Sequence, residues 1–245
     1  MFMGTEMGWG LMGDRFVRRI FDELPFVHRT RPAIVARPPP GEPMQLVGML
    51  DSPYVRRAAI SLRLLGLSFE HRPISVFSTF EQFRAINPVV KAPTLVCDDG
   101  TVLMDSTLII DHAETVAGRR LTPADAAGRL RDLRLTGLAL AACEKTVQIV
   151  YERNLRPAEK QHQPWLDRVQ GQLAAACAAL EQELVAAPLS AEPQALTQAG
   201  VSAAVAWAFL QMILPEAIDP AACPTLADFS ARAERTPAFL ATPQI

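Results

Sequence analysis

The chain contains no CxxC pair. Its four cysteines, Cys97, Cys143, Cys177 and Cys223, stand far apart along 245 residues. That spacing argues against a zinc site and against a dithiol redox centre. It suits reduced thiols in a cytoplasmic protein. No apolar run approaches the length of a bilayer span, so no membrane segment is expected. Strong charge of either sign is also missing. The formal net charge is -2, which leaves no global basic field to hold nucleic acid or an anionic membrane. Arginines gather locally at Arg56 and Arg57 and at Arg129, Arg131 and Arg134, as solvated helical faces often do. There is no internal repeat, and nothing in the text supplies a nucleophile–base–acid triad. No metal is expected.

What is present divides in two. Residues 1–43 are rich in Gly, Met and Arg and close on Arg37-Pro38-Pro39-Pro40-Gly41-Glu42-Pro43, a stiff linker composition. Phe16, Val17, Ile20, Phe21 and Leu24 have the spacing of one short amphipathic helix. No long apolar core of a secretory signal occurs. This part reads as a flexible extension ahead of the folded protein, with a targeting or partner-binding arm as the alternative. The remainder is long enough for one large domain or two small ones with real cores.

From Met44 onward the periodicities are clear. Leu46 to Leu50 reads as a short buried strand. Ser52-Pro53 then opens a helix carrying Val55, Ala58, Ala59, Leu62 and Leu65 on one face. Ser52 stands at the N-cap and Pro53 at the first helical position, whose missing N–H costs nothing there. Such a pair is a plain cap or, alternatively, the mouth of an anion site. Residues 69–76 read as a second strand, 80–86 as a short helix, and 94–97 and 102–104 as a hairpin around Asp98-Asp99-Gly100. Asp105-Ser106 opens another helix over 107–116, again with a plain cap as the simple explanation. The order β-α-β-α-β-β-α makes a four-stranded, thioredoxin-like sheet over 44–120. Residues 118–124 form a linker, and 125–245 is all-helical. In that part Leu130, Leu133, Gly137 and Leu140 make one stripe and Leu135, Leu138 and Ala142 another, so the first long helix is expected to be buried on two sides. Trp165 to Leu184 follows as a second long helix. The segment 198–212 is apolar nearly all round and belongs at the centre. A shorter helix covers 225–233.

Three motifs, each on its expected element, resemble those of the cytosolic glutathione transferases over 44–245. Ser52-Pro53-Tyr54-Val55-Arg56-Arg57 is similar to the serine-type opening of many bacterial and plant members. Asn87-Pro88-Val89-Val90-Lys91-Ala92-Pro93-Thr94-Leu95 is similar to the family loop NPxGKVPxL. Asp105-Ser106 is similar to the acid-plus-serine pair, commonly Glu-Ser. The resemblance implies a thioredoxin-like N-terminal domain followed by an all-helical domain, usually in a homodimer packed through the helix near 107–116 and the first long helix.

It also implies glutathione as co-substrate. Ser52 would donate its hydroxyl to the glutathione sulfur. Ala92, before a cis bond to Pro93, would pair through its main chain with the cysteinyl backbone, with Lys91 beside the tripeptide. Asp105 would hold the γ-glutamyl ammonium and Ser106 its carboxylate. The thiolate would attack a small electrophile or a peroxide, a detoxification chemistry. Cysteine at position 52 would have pointed to thiol transfer instead, and the longer Ser/Cys-rich opening of the isomerase branch is missing. Leu50, Phe77, Tyr151 and Trp207 are candidates to flank the sulfur in a second-substrate pocket, with a plain core role as the alternative for each. Arg56 and Arg57 read as formers of structural ion pairs. The alternative function is a non-catalytic member of the fold acting as a protein-interaction module. The sequence departs from the family pattern at Val90 (commonly Gly), at Asp105 (commonly Glu), and at Gly200. There the central helix, opened by Thr197, lacks the usual Asp, a loss of ~1 kcal/mol at its start.

Overall fold

The computed structural model describes residues 43–244. The extension expected at 1–43, apart from its last residue, and the helix expected at 16–24 lie outside the described residues. Strand β1 (Met44–Val47) leads into helix α1 (Pro53–Leu64), then β2 (Phe69–Arg72), α2 (Phe80–Ile86), β3 (Thr94–Val96), β4 (Val102–Met104) and α3 (Ser106–Ala117). The sheet order is β2-β1-β3-β4. β1 and β2 run parallel, as a βαβ crossover requires, and the β1–β3 and β3–β4 pairs are antiparallel. This is the thioredoxin-like arrangement.

Strand alternation sorts the core. Leu46 and Leu95 face α1 and α3, together with Val55, Ala59, Leu62 and Ile109. Val47 and Val96 face the other way, onto Phe83 and Ile86 of α2. Two strands are displaced or shorter than the apolar runs suggest. β1 stops at Val47 because Gly48 takes φ 140°, where a Cβ would stand 2.6 Å from Val55 Cγ2 and 3.3 Å from the Ala92 Cβ. Glycine is therefore required for α1 and the loop before β3 to close on the strand end. β2 stops at Arg72 because Pro73 has no N–H for the ladder.

The helical part comprises α4 (Ala126–Leu155), α5 (Gln163–Ala186), α6 (Gln198–Ile213), α7 (Pro224–Ala233) and the single turn α8 (Pro237–Leu240). Asp125 caps α4 by accepting from the Gly128 N–H at 2.8 Å, so the helix starts before its first apolar stripe. α6 is central, with Val201, Ala203, Ala204, Val205 and Leu210 wholly enclosed. α4 differs from the two-sided burial expected of it. Leu135, Ala139 and Ala142 are buried, but Leu130 is 71% exposed and Leu133 54% exposed. These two leucines find no cover within the described residues of one chain.

Helix α1 joins the two parts. Its Ile60 belongs to the helical core while Leu62 belongs to the sheet core. Arg56 forks onto Glu234 with both bonds at 2.6 Å and donates Nε–H to the Thr242 carbonyl at 2.9 Å. Breaking such a largely buried pair from one side costs about 3 kcal/mol or more. Ser61 donates to the Gln198 side chain across the same seam.

Candidate functional site

A cavity of about 760 Å³ opens between the sheet part and helices α4 and α6. Ser52, Lys91, Ala92, Pro93, Asp105 and Ser106 all line it, though they come from three separate stretches of chain. The local structure explains how each arrives there.

Ser52 is the N-cap of α1. Its backbone is extended (φ -69°, ψ 123°) and its Oγ accepts from the Val55 N–H at a long 3.5 Å. The hydroxyl is half-buried and weakly engaged. Asp51 beside it is buried enough to raise its carboxyl above the ordinary range, against the opposing pull of the Ser52 and Asp51 backbone N–H groups.

The loop at 90–93 is held from below by Asn87. This buried side chain donates to Thr94 Oγ1 at 2.8 Å and accepts from the Val89 N–H at 3.0 Å, while Thr94 Oγ1 donates to the Lys91 carbonyl at 2.8 Å. Val90 sits at φ 52°. A β-branched residue there is strained by about 1–3 kcal/mol, which accounts for the preference for glycine at this point of the loop. The Ala92-Pro93 peptide is cis.

Asp105 caps α3 from φ 72°, accepting from the Thr107 N–H at 2.9 Å. Its other oxygen lies 3.7 Å from Lys91 Nζ. Both groups are about half exposed, so the pair contributes little by itself. Ser106 is buried at 2% exposure and accepts from Arg57 Nη1 at 2.9 Å.

Arg57 is the residue that sequence reasoning placed wrongly. Arg56 does form an ion pair, but Arg57, one position on, has none among the described residues. Its Nε donates to Ser202 Oγ at 2.9 Å and its Nη1 also reaches Thr107 Oγ1 at 3.2 Å. Burial pushes its pKa down to about 10, offset in part by Cys143, Asp105, Asp132 and Tyr54. It remains charged at neutral pH. The adjacency of two arginines one turn into α1 was the only available signal, and it does not distinguish their directions.

The remaining wall is largely apolar. Phe77 and Tyr151 line it as expected, with their rings edge-to-face at 5.9 Å. Leu50 and Trp207 do not. Leu50 packs into the core beneath the sheet and Trp207 into the helical core. Met49, Leu140, Val147, Phe209 and Ile213 take their place. Helix α6 is apolar on every side, so periodicity could not tell that Phe209 rather than Trp207 faces the cavity. Tyr54 also lines the cavity, and burial holds its phenol well above the ordinary value. Tyr151 is raised as well, first by burial and then by Asp51. The cysteines are free and buried, and burial pushes Cys97 up to about 11 and Cys143 and Cys177 up to about 12. None of these three is a thiolate at neutral pH. The cavity thus offers a hydroxyl at one helix tip, an acid and a hydroxyl at another, and an apolar wall opposite. This suits a ligand with a zwitterionic end and a soft reactive atom.

Comparison with known proteins agrees. Residues 46–120 match the model of the glutathione S-transferase N-terminal domain. The uncharacterised GST-like protein YibF of Escherichia coli K12 is 27% identical over 173 residues, covering 70% of this chain and 85% of that protein. A glutathione transferase family member from Pseudomonas fluorescens Pf-5, solved with bound glutathione, is 30% identical with a TM-score of 0.71, over 82% of this chain and 99% of that one. A glutathione S-transferase from Methylobacterium radiotolerans JCM 2831, in complex with glutathione sulfonate, is 26% identical with a TM-score of 0.74, over 81% and 93%.

Proposed function

The chain belongs to the glutathione transferase family, and from that premise we propose that it is a serine-type glutathione transferase. It binds glutathione in the cavity between its sheet and helical parts and activates the thiol for attack on a small electrophile. One observation carries this reading. Six residues singled out by the motifs, Ser52, Lys91, Ala92, Pro93, Asp105 and Ser106, surround a single cavity.

In this reading the γ-glutamyl end of the tripeptide lies over the start of α3. Asp105 takes its ammonium, with Lys91 yielding the carboxylate it now pairs with. Ser106 and the α3 N-terminus take its carboxylate. The main-chain N–H and C=O of Ala92 pair with the cysteinyl residue as an added strand would. The sulfur then comes to the tip of α1, where Ser52 donates its hydroxyl hydrogen to it and favours thiolate over thiol. The second substrate lies against Phe77, Tyr151 and Phe209. Orientation of the two reactants supplies much of the acceleration. The thiol gives its proton to solvent, and as the carbon–sulfur bond forms the leaving group departs with its electron pair.

The four free, buried thiols suit the reducing cytoplasm, where glutathione is abundant. No described helix is long and apolar enough to cross a membrane. Leu108 and Val116 on α3 and Leu130 and Leu133 on α4 are exposed. They support assembly into a homodimer across these two helices.

Retention on glutathione-agarose, combined with a chlorodinitrobenzene conjugation assay, tests the function. Binding with turnover is expected. Absence of binding at millimolar glutathione would overturn the reading and favour a protein-interaction role.

A further inference from the structure

The geometry points to Arg57 as the buried counter-ion of the glutathione γ-glutamyl carboxylate, acting from beneath through Ser106 and Thr107. The inference rests on the glutathione reading and adds a positioning residue to it.

Arg57 is 2% exposed. Among the described residues the hydrogen-bond partners of its guanidinium are three neutral hydroxyls, those of Ser202, Ser106 and Thr107. Among the described residues no carboxylate lies within ion-pair distance of it, and Asp105 and Asp132 act on it only through space. Arg56, its neighbour, shows the contrast with its forked carboxylate. A buried cation served only by neutral groups is an expensive arrangement unless an anion completes it.

The acceptors open to the three hydroxyls set the side from which an anion can come. A guanidinium only donates, so all three hydroxyl oxygens must accept from it. Ser202 passes its own hydrogen inward to the Gln198 carbonyl at 2.7 Å. That side is closed. The hydroxyl hydrogens of Ser106 and Thr107 have no acceptor among the described residues, and both residues line the cavity. Each hydroxyl, having accepted from the cation, keeps its own hydrogen free to donate toward the cavity and is polarised by the charge behind it. A carboxylate received there meets two hydroxyl donors, the positive end of α3 and a full charge behind them.

The test uses two ligands and three proteins. Affinities of the full chain are measured by calorimetry for glutathione and for its γ-aminobutyryl analogue, which lacks only the γ-glutamyl α-carboxylate. The wild type should prefer glutathione by about 10- to 100-fold. Arg57→Met should erase most of that preference while binding the analogue nearly as the wild type does. Arg57→Gln, which keeps much of the volume and two donors but not the charge, is read in its place where the methionine variant does not fold, with the same expectation. Equal weakening of both ligands, or an undiminished preference in either variant, would show that Arg57 only supports the fold. A wild type that binds both ligands equally would also overturn the proposal while leaving the glutathione reading intact. A wild type that binds neither removes both.

Discussion

Replacing Ser52 by alanine should raise the pKa of the bound glutathione thiol by about 1–2 units, and the structure indicates how that shift divides. A free thiol titrates near ~8.5, and lowering it by ~2 units needs about 2.7 kcal/mol of preference for the thiolate. Helix α1 can give little of this through its main chain. Pro53 has no N–H and the Val55 N–H already points at Ser52 Oγ, leaving the Tyr54 N–H and the helix dipole, worth about 0.3–1 kcal/mol. The hydroxyl must supply the rest, and a hydrogen bond to a charged acceptor supplies about 1.5–3 kcal/mol. Ser52→Ala removes that part and keeps the other. The sign follows. A higher thiol pKa leaves less thiolate at neutral pH, so the acid limb of the conjugation rate moves to higher pH. Below the wild-type pKa the rate falls roughly 10- to 100-fold, and well above both pKa values little is lost. The assay is the pH dependence of kcat/KM, paired with a thiolate absorbance titration of the bound tripeptide. Glutathione affinity should change little. Stability should drop by only about 0.5 kcal/mol, because the cap bond removed is already long. An unmoved acid limb would refute the assignment of Ser52 as the sulfur's donor.

Three other perturbations bear on the same picture. Ser106→Ala should weaken glutathione binding by about 10-fold, seen in calorimetry, and also lower stability by about 1–3 kcal/mol, because a buried Arg57 N–H loses its acceptor. Asp132→Ala should destabilise the protein by about 1–3 kcal/mol in urea titrations, since Asp132 Oδ1 accepts from the Ala199 N–H in the first turn of α6 at 3.0 Å; a loss under ~0.5 kcal/mol would show that cap to be idle. Leu133→Glu should split the proposed dimer, with light scattering reporting a mass near that of one chain, and an unchanged dimer mass would move the interface elsewhere.

The departure at Gly200 shows where sequence reasoning stopped. The text has Thr197 followed by Gly200, so the reciprocal carboxylate of the capping motif is absent and a weak helix start is expected. Thr197 does cap, accepting from the Gly200 N–H at 3.3 Å. A carboxylate does reach this helix start, from Asp132 on α4, but it accepts from the Ala199 N–H, 67 residues away in sequence, rather than from the Thr197 N–H that the motif's own carboxylate would take. At Gly200 itself a Cβ would stand 3.3 Å from Leu196 Cδ2 and 3.4 Å from Phe229 Cζ, so the packing favours glycine there.

The elements and the motif positions were legible along the chain, because those depend on neighbours a few residues apart. Ser52 and Thr197 cap the helices that follow them, alternation in β1 and β3 sorts Leu46 from Val47, and Ala92-Pro93 stands in its loop where expected. Packing in three dimensions settles which apolar face of α6 meets the cavity, that Leu130 and Leu133 of α4 stay uncovered among the described residues, and that Arg57 lies beneath Ser106, 49 residues along the chain, with no carboxylate of the described residues in ion-pair reach. These are matters of direction in space. A helix that is apolar all round, or two arginines side by side, has the same local pattern whichever way it is turned. The choice is made by the packing of segments that the sequence keeps far apart.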